Sequence, residues 1–301
     1  MRAPLAFRAA LAAVLVAVWI VTGGGRALLA QAGLRERTMF VSALTSRGDP
    51  VEGLGPSDFV ITEDGRRREV LRVTPASDPI DIALLVDNSA PSQQAIPFFR
   101  RALSAFVRQM QVGNQIALVT LAERPTISVD YTSSQVLLDQ GIGRLFADSD
   151  SGMTLLDAIV EVSAGLHRRD APRTIIVVLM TNGIEFSNRS ARDVIRAMRA
   201  EGVGLHAFVI GQLPINTSED RDRALVLAQG TAGTGQYVTL LLETAAEPAL
   251  QKLARELTSQ YKVVYGRPES LIPPDKIEVE SARRGVTMRG TPARGETGGP
   301  K

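Results

Sequence analysis

Asp87 and Ser89 stand where an apolar run stops, in IDIALLVDNSAPS (80–92). A carboxylate and a hydroxyl leaving a strand end together are oxygen ligands of the kind a hard cation such as Mg²⁺ takes. Pro91 follows where a second hydroxyl would help, and Ser92 comes one residue later. Two more segments carry matching oxygens. DSGMTLLDA (150–158) brings Thr154 and Asp157 behind Gly152, and MTNGIE (180–185) brings Thr181, Asn182 and Glu185 behind IIVVL. Each has a plainer use. Asp87 and Ser89 suit local hydrogen bonding at a strand exit. Thr154 can cap a following helix, with Asp157 in its first turn, and Asn182-Gly183 is a turn dipeptide. Glu185 is expected to be a solvated loop acid, because carboxylates are seldom buried.

The elements that must position these residues follow from periodicity. Four apolar runs, 80–87, 115–122, 174–181 and 204–211, lack alternation and read as parallel strands covered on both faces. Between them, Phe99, Leu103, Phe106 and Met110 recur on one helical face, as do Leu155, Ile159, Val162 and Leu166. Val194, Ile195 and Met198 continue the pattern, and a short strand near 236–240 precedes a last helix over 246–260. Strand and helix in alternation predict an α/β fold with a doubly wound, mostly parallel sheet, whose ligands bind at the carboxyl ends of its strands. The three oxygen-bearing segments all fall there.

The flanks read differently. Short alternating strands are expected at 38–45, 58–65 and 66–75, and again at 261–266, 276–281 and 285–290. The predicted organisation is therefore an N-terminal β segment (36–78), an α/β domain (79–260) and a C-terminal β segment (261–290), the two flanks forming one small β domain. Residues 291–301 are Gly/Pro-rich and polar, and read as a disordered tail.

Residues 1–32 read as a signal peptide: a basic start at Arg2 and Arg8, an apolar stretch at 9–23 and a small-x-small site at 30–32. The expectation is export to the periplasm or beyond, with a retained N-terminal membrane anchor as the alternative and no other membrane contact. The chain has no cysteine, which excludes a lipidated Cys and disulfides. Its basic balance comes from the leader. Without Arg2, Arg8 and Arg26, 31 basic side chains face 32 acidic ones, a net of −1. No basic tract carries interleaved aromatics, so nucleic-acid binding has no support. No HExxH, G-x-S-x-G or GxxxxGK[ST] motif occurs, which speaks against an enzyme; a hydrolase built on an Asp/Ser cluster is the weaker alternative. His167 and His206 are expected to be structural, and Arg47-Gly48-Asp49 reads as a turn rather than an adhesion tripeptide.

Asp87-x-Ser89, Gly152-x-Thr154 with Asp157, and Thr181-Asn182-Gly183 together resemble a von Willebrand factor type A domain in order, spacing and strand context. LAQGTAGTGQYV (227–238) is similar to a late Thr-Gly-Gly turn of such domains. DPVEGLGPSDFVITEDGRRREV (49–70) and SQYKVVYGRP (259–268) resemble the flanks of a bacterial exported subgroup. The resemblance covers residues 36–290. It implies a metal-ion-dependent adhesion site, with the pattern Asp-x-Ser-x-Ser, then Thr, then Asp, where a partner's carboxylate completes the coordination of Mg²⁺. Asp87, Ser89 and Thr154 match; Pro91 replaces the second serine and Asn182 the second aspartate, leaving Ser92 and Asn182 as auxiliaries. The expectation is an exported interaction or adhesion module, binding an unidentified protein, with a degenerate metal site. A metal-independent scaffold is the alternative.

Overall fold

The computed structural model describes residues 34–169, 171–268, 274 and 276–293. The predicted signal peptide lies outside them, as does most of the predicted tail. The chain opens with β1 (Leu34–Thr45), β2 (Phe59–Glu63) and β3 (Arg66–Pro75). The middle runs β4 (Ile80–Val86), α1 (Ile96–Met110), β5 (Gln115–Thr120), β6 (Thr126–Thr132), α2 (Gln135–Gly143), α3 (Leu155–His167), β7 (Arg173–Met180), α4 (Ala191–Ala200), β8 (Gly204–Ile210), α5 (Ser218–Gly230), β9 (Gln236–Leu240) and α6 (Ala246–Thr258). It closes with β10 (Tyr261–Pro268), β11 (Ile277–Ser281) and β12 (Val286–Pro292).

Both flanks build one antiparallel sheet in the order β11-β2-β3-β10-β1-β12. Met39, Val41, Phe59, Ile61, Val263 and Tyr265 form its core. β12 runs two residues into the stretch read as a tail: Thr291 and Pro292 pair with Phe40 and Met39. Arg47, Gly48 and Asp49 form a turn after β1, pinned by the Gly48 amide to the Thr45 carbonyl at 2.8 Å.

The middle forms a second sheet, β6-β5-β4-β7-β8-β9, parallel except for β6. Every residue of β4, β7 and β8 is buried, as continuous apolarity requires of strands covered on both faces. Alternate residues face opposite layers. Ile82 and Leu84 meet Phe99, Leu103 and Leu253 on α1 and α6, whereas Ala83 and Leu85 meet Ile159, Val194 and Leu227 on α3, α4 and α5. The two sheets lock together at the amino ends of the parallel strands. Arg173, the first residue of β7, donates to the carbonyls of Asp78 and Leu257 and to Gln260, and lies over the Phe40 ring. Arg289 of β12 pairs with Glu256 of α6. The opposite, carboxyl edge is left facing outward. No helix among the described residues is long and apolar enough to cross a membrane.

Candidate functional site at the carboxyl edge

Asp87 directly follows β4 and is fully buried. Its Oδ1 accepts from the Ser89 amide at 2.9 Å and the Ser89 hydroxyl at 2.6 Å. Its Oδ2 accepts from the Thr181 amide at 2.9 Å and the Thr181 hydroxyl at 2.6 Å. Four donors are what allow a carboxylate to sit away from water. They also tie the loops after β4 and β7 together. Asn88 ties in a third, its Oδ1 accepting from the amides of Leu121 and Ala122 after β5 at 3.0 and 2.8 Å. Two of the other predicted oxygens, those of Thr154 and Ser92, are turned onto the backbone. Thr154 directs both its amide and its hydroxyl at the Leu121 carbonyl, each at 2.9 Å, so its side chain does not cap α3. Ser92 directs its hydroxyl at the Ser89 carbonyl at 2.7 Å. Asn182 is exposed, and Asp157 pairs on the surface with Arg189 at 2.9 Å. Gly183 packs so closely that a Cβ there would stand 2.9 Å from Ser89 Oγ.

The reading of Glu185 as a solvated acid is corrected: it is 1% exposed. Residues 182–187 alternate outward and inward, but with the usual chemistry reversed. Ile184 and Phe186 point out, and Glu185 and Ser187 point in. The inward pair caps α3 from across the loop. Glu185 Oε1 accepts from the Leu156 amide at 3.5 Å, and Ser187 Oγ accepts from the Asp157 amide at 3.0 Å, meeting the free donors of the helix start. Glu185 Oε2 has no hydrogen-bond partner. Burial pushes this carboxyl up to about 7, against the bond to Ser187 and the charge of Arg223.

Sequence reasoning also missed Asp220 and Arg223, on α5. Both are buried and paired at 2.9 Å. Asp220 Oδ1 also accepts from the Glu185 amide at 3.2 Å, and Arg223 donates to the Gly183 carbonyl at 2.5 Å and the Pro214 carbonyl at 3.4 Å. Burial lowers Arg223, while the charges of Glu185, Asp220 and Asp87 hold its proton on. The one signal in the sequence was the cap: Thr217 and Asp220 form a capping box.

The family model of the von Willebrand factor type A domain matches residues 81–254. The chain belongs to this family. Solved structures align with this chain at low identity. A von Willebrand factor type A protein from Catenulispora acidiphila aligns with TM-score 0.50 and 11% identity over 88% of this chain and 74% of its own. Proximal thread matrix protein 1 of the mussel byssus aligns with TM-score 0.50 and 17% identity over 60% of this chain and 48% of its own. The vWF domain of the type V pili tip protein Mfa5 from Porphyromonas gingivalis aligns with TM-score 0.34 and 22% identity over 36% of this chain, which spans 40% of that one. No curated protein matches the sequence.

A von Willebrand A domain invites a test of its edge for Mg²⁺. The ion asks for six oxygens in near-octahedral array, with carboxylate charge to offset its dehydration. The donors here do not fit. Asp87 is the one carboxylate among the motif positions and already accepts four hydrogen bonds. Pro91 offers no hydroxyl, Ser92 is turned inward, and the exposed amide of Asn182 carries no charge. Several of the side chains exposed near this edge are large and apolar. Phe146, Ile184 and Phe186 are 71%, 49% and 64% exposed, and Leu241 and Leu242, just past β9, are 90% and 62% exposed. The Phe186 ring packs against Gly152, where a Cβ would come within 1.9 Å of it.

Proposed function

We propose that the protein is an exported binding module whose carboxyl edge takes a protein partner without a divalent ion. The observation that carries this reading is Asp87. Both its oxygens are engaged inside the protein, beneath a rim of exposed aromatic and aliphatic side chains. Large apolar side chains exposed together at one end of a sheet suit a protein contact. The partner contact is then apolar rather than a shared metal–carboxylate bridge. The export part rests on the basic start, apolar stretch and small-x-small site of residues 1–32. Ser89 supports no hydrolase: it is fully buried and its hydroxyl points at Asp87.

Calorimetric titration of the mature protein with Mg²⁺ and Mn²⁺ tests the metal part. No heat of binding is expected. Binding tighter than ~1 mM, the weak end for extracellular oxygen-ligand sites, that disappears in Asp87→Ala would overturn it. Partner capture from the cell envelope is expected to survive EDTA and to be lost in Phe186→Asp. The opposite pattern refutes an apolar edge. Mass spectrometry of the exported chain is expected to find Gly33 as its first residue.

A further inference from the structure

Beneath the Thr181-Asn182-Gly183 turn, Asp87, Glu185 and Asp220 are each no more than 1% exposed, and Arg223 is fully buried among them. A buried charge is tolerated only when opposite charge and hydrogen bonds match it. Here carboxylates outnumber the guanidinium, so removing the guanidinium strands them.

We infer that Arg223 is the built-in cation of the carboxyl edge, balancing its buried carboxylates and holding its loops in place of a divalent ion. The inference rests on the reading that the edge works without Mg²⁺. Three observations point to it. Its fork reaches three segments at once: the turn after β7 through the Gly183 carbonyl at 2.5 Å, the loop after β8 through the Pro214 carbonyl at 3.4 Å, and its own helix through Asp220 at 2.9 Å. The turn it holds is the one that seats Gly183 against Ser89 Oγ, so the guanidinium keeps that turn down on the Asp87–Ser89 pair. The charges of Glu185, Asp220 and Asp87 all act on the guanidinium. A guanidinium suits this place because it stays protonated and offers a planar fork of donors. Packing alone does not call for it. Val226 and Leu227 on the same buried side of α5 show that the layer accepts aliphatic side chains, and a buried ion pair is generally no more stabilising than apolar residues of its size.

The experiment compares the wild type with Arg223→Ala, alone and combined with Glu185→Gln, by urea unfolding and by thermal midpoint. Arg223→Ala is expected to raise the unfolding constant by ~100-fold or more, as breaking a buried pair does. At pH ~9, where Glu185 is ionised, the rise in the Glu185→Gln background is expected to be roughly tenfold smaller, because one stranded carboxylate is gone. Low concentrations of guanidinium chloride are expected to raise the midpoint of Arg223→Ala, while urea, of the same shape and without charge, does not. Equal losses in both backgrounds, or equal rescue by urea, overturn the inference. If Arg223→Ala does not fold, adding Glu185→Gln and Asp220→Asn together is expected to restore folding, and a triple variant that stays unfolded overturns it as well. The divalent arm is separate. A wild-type midpoint that moves with Mg²⁺ or EDTA refutes the metal-free reading itself, whereas failure of the guanidinium–urea distinction refutes only the role given to Arg223.

Discussion

Glu185→Gln isolates one buried proton. In the folded protein the carboxyl titrates at about 7, against 4.5 for an ordinary glutamate, because burial disfavours its charged form more than Ser187 and Arg223 favour it. A raised carboxyl holds its proton in the folded state after the unfolded chain has lost it. Stability is therefore complete below pH ~4.5 and drains away as pH rises through ~7. Each tenfold change in proton affinity is worth ~1.4 kcal/mol, so the loss attributable to Glu185 is ~3 kcal/mol by pH ~8. Glutamine keeps the Oε1 acceptor for the Leu156 and Ser187 amides and cannot ionise. Its NH₂ takes the place of Oε2, which has no partner, so a constant cost is expected at every pH.

The informative quantity is thus the slope and not the offset. Urea unfolding of both proteins from pH 4 to 9 should show the variant gaining on the wild type between pH ~4.5 and ~7 and a flat difference above ~8. A raw wild-type profile will not show this, because His206 acts in the opposite sense over part of the range. Burial, helped by the charge of Arg289 and opposed by Glu256, lowers His206 to about 4. A lowered histidine contributes stability that is present above pH ~6.5 and lost as pH falls towards ~4. Between pH ~4.5 and ~6.5 the two groups offset one another. The difference between wild type and variant cancels His206 and every other group common to both. Parallel profiles, separated by a constant at all pH values, would refute the assignment of a buried, protonated Glu185.

The companion variant His206→Phe should flatten the acid side, removing ~3 kcal/mol of pH dependence between ~6.5 and ~4, read from the same urea series. Thr181→Val keeps the shape and the amide donor but removes the 2.6 Å hydroxyl bond to Asp87; a loss of ~1–3 kcal/mol is expected for a buried carboxylate short of one donor, and a neutral result in chemical unfolding would contradict the geometry. Gly152→Ala should displace the exposed Phe186 ring. Its stability cost should stay within ~1 kcal/mol because the ring can swing into solvent, while partner capture falls as it does for Phe186→Asp.

What could be read from the sequence, and what could not, divides along a physical line. The parallel strands were legible because a strand buried on both faces is apolar at nearly every position, as 80–86 and 204–210 are apart from Asp81 and His206. Asp87 was legible because a carboxylate directly after such a run must meet something. The β6 edge strand and α2 were not, and α5 was not, for a different reason. The buried side of α5 includes Asp220 and Arg223 beside Val226 and Leu227, so its inward face looks polar and the apolar period is erased. The same inversion hid Glu185, whose exposed neighbours Ile184 and Phe186 are the residues a hydrophobic pattern would turn inward. Both failures come from one cluster. The Asp220–Arg223 ion pair of one helix is hydrogen-bonded to the Glu185 amide and the Gly183 carbonyl, 35 and 40 residues away; the local hydrophobic code is reversed on both segments, and no short window along the chain contains the two together. Local pattern is reliable where burial is apolar. It breaks down where burial is ionic, and in this domain that is where the carboxyl edge is held.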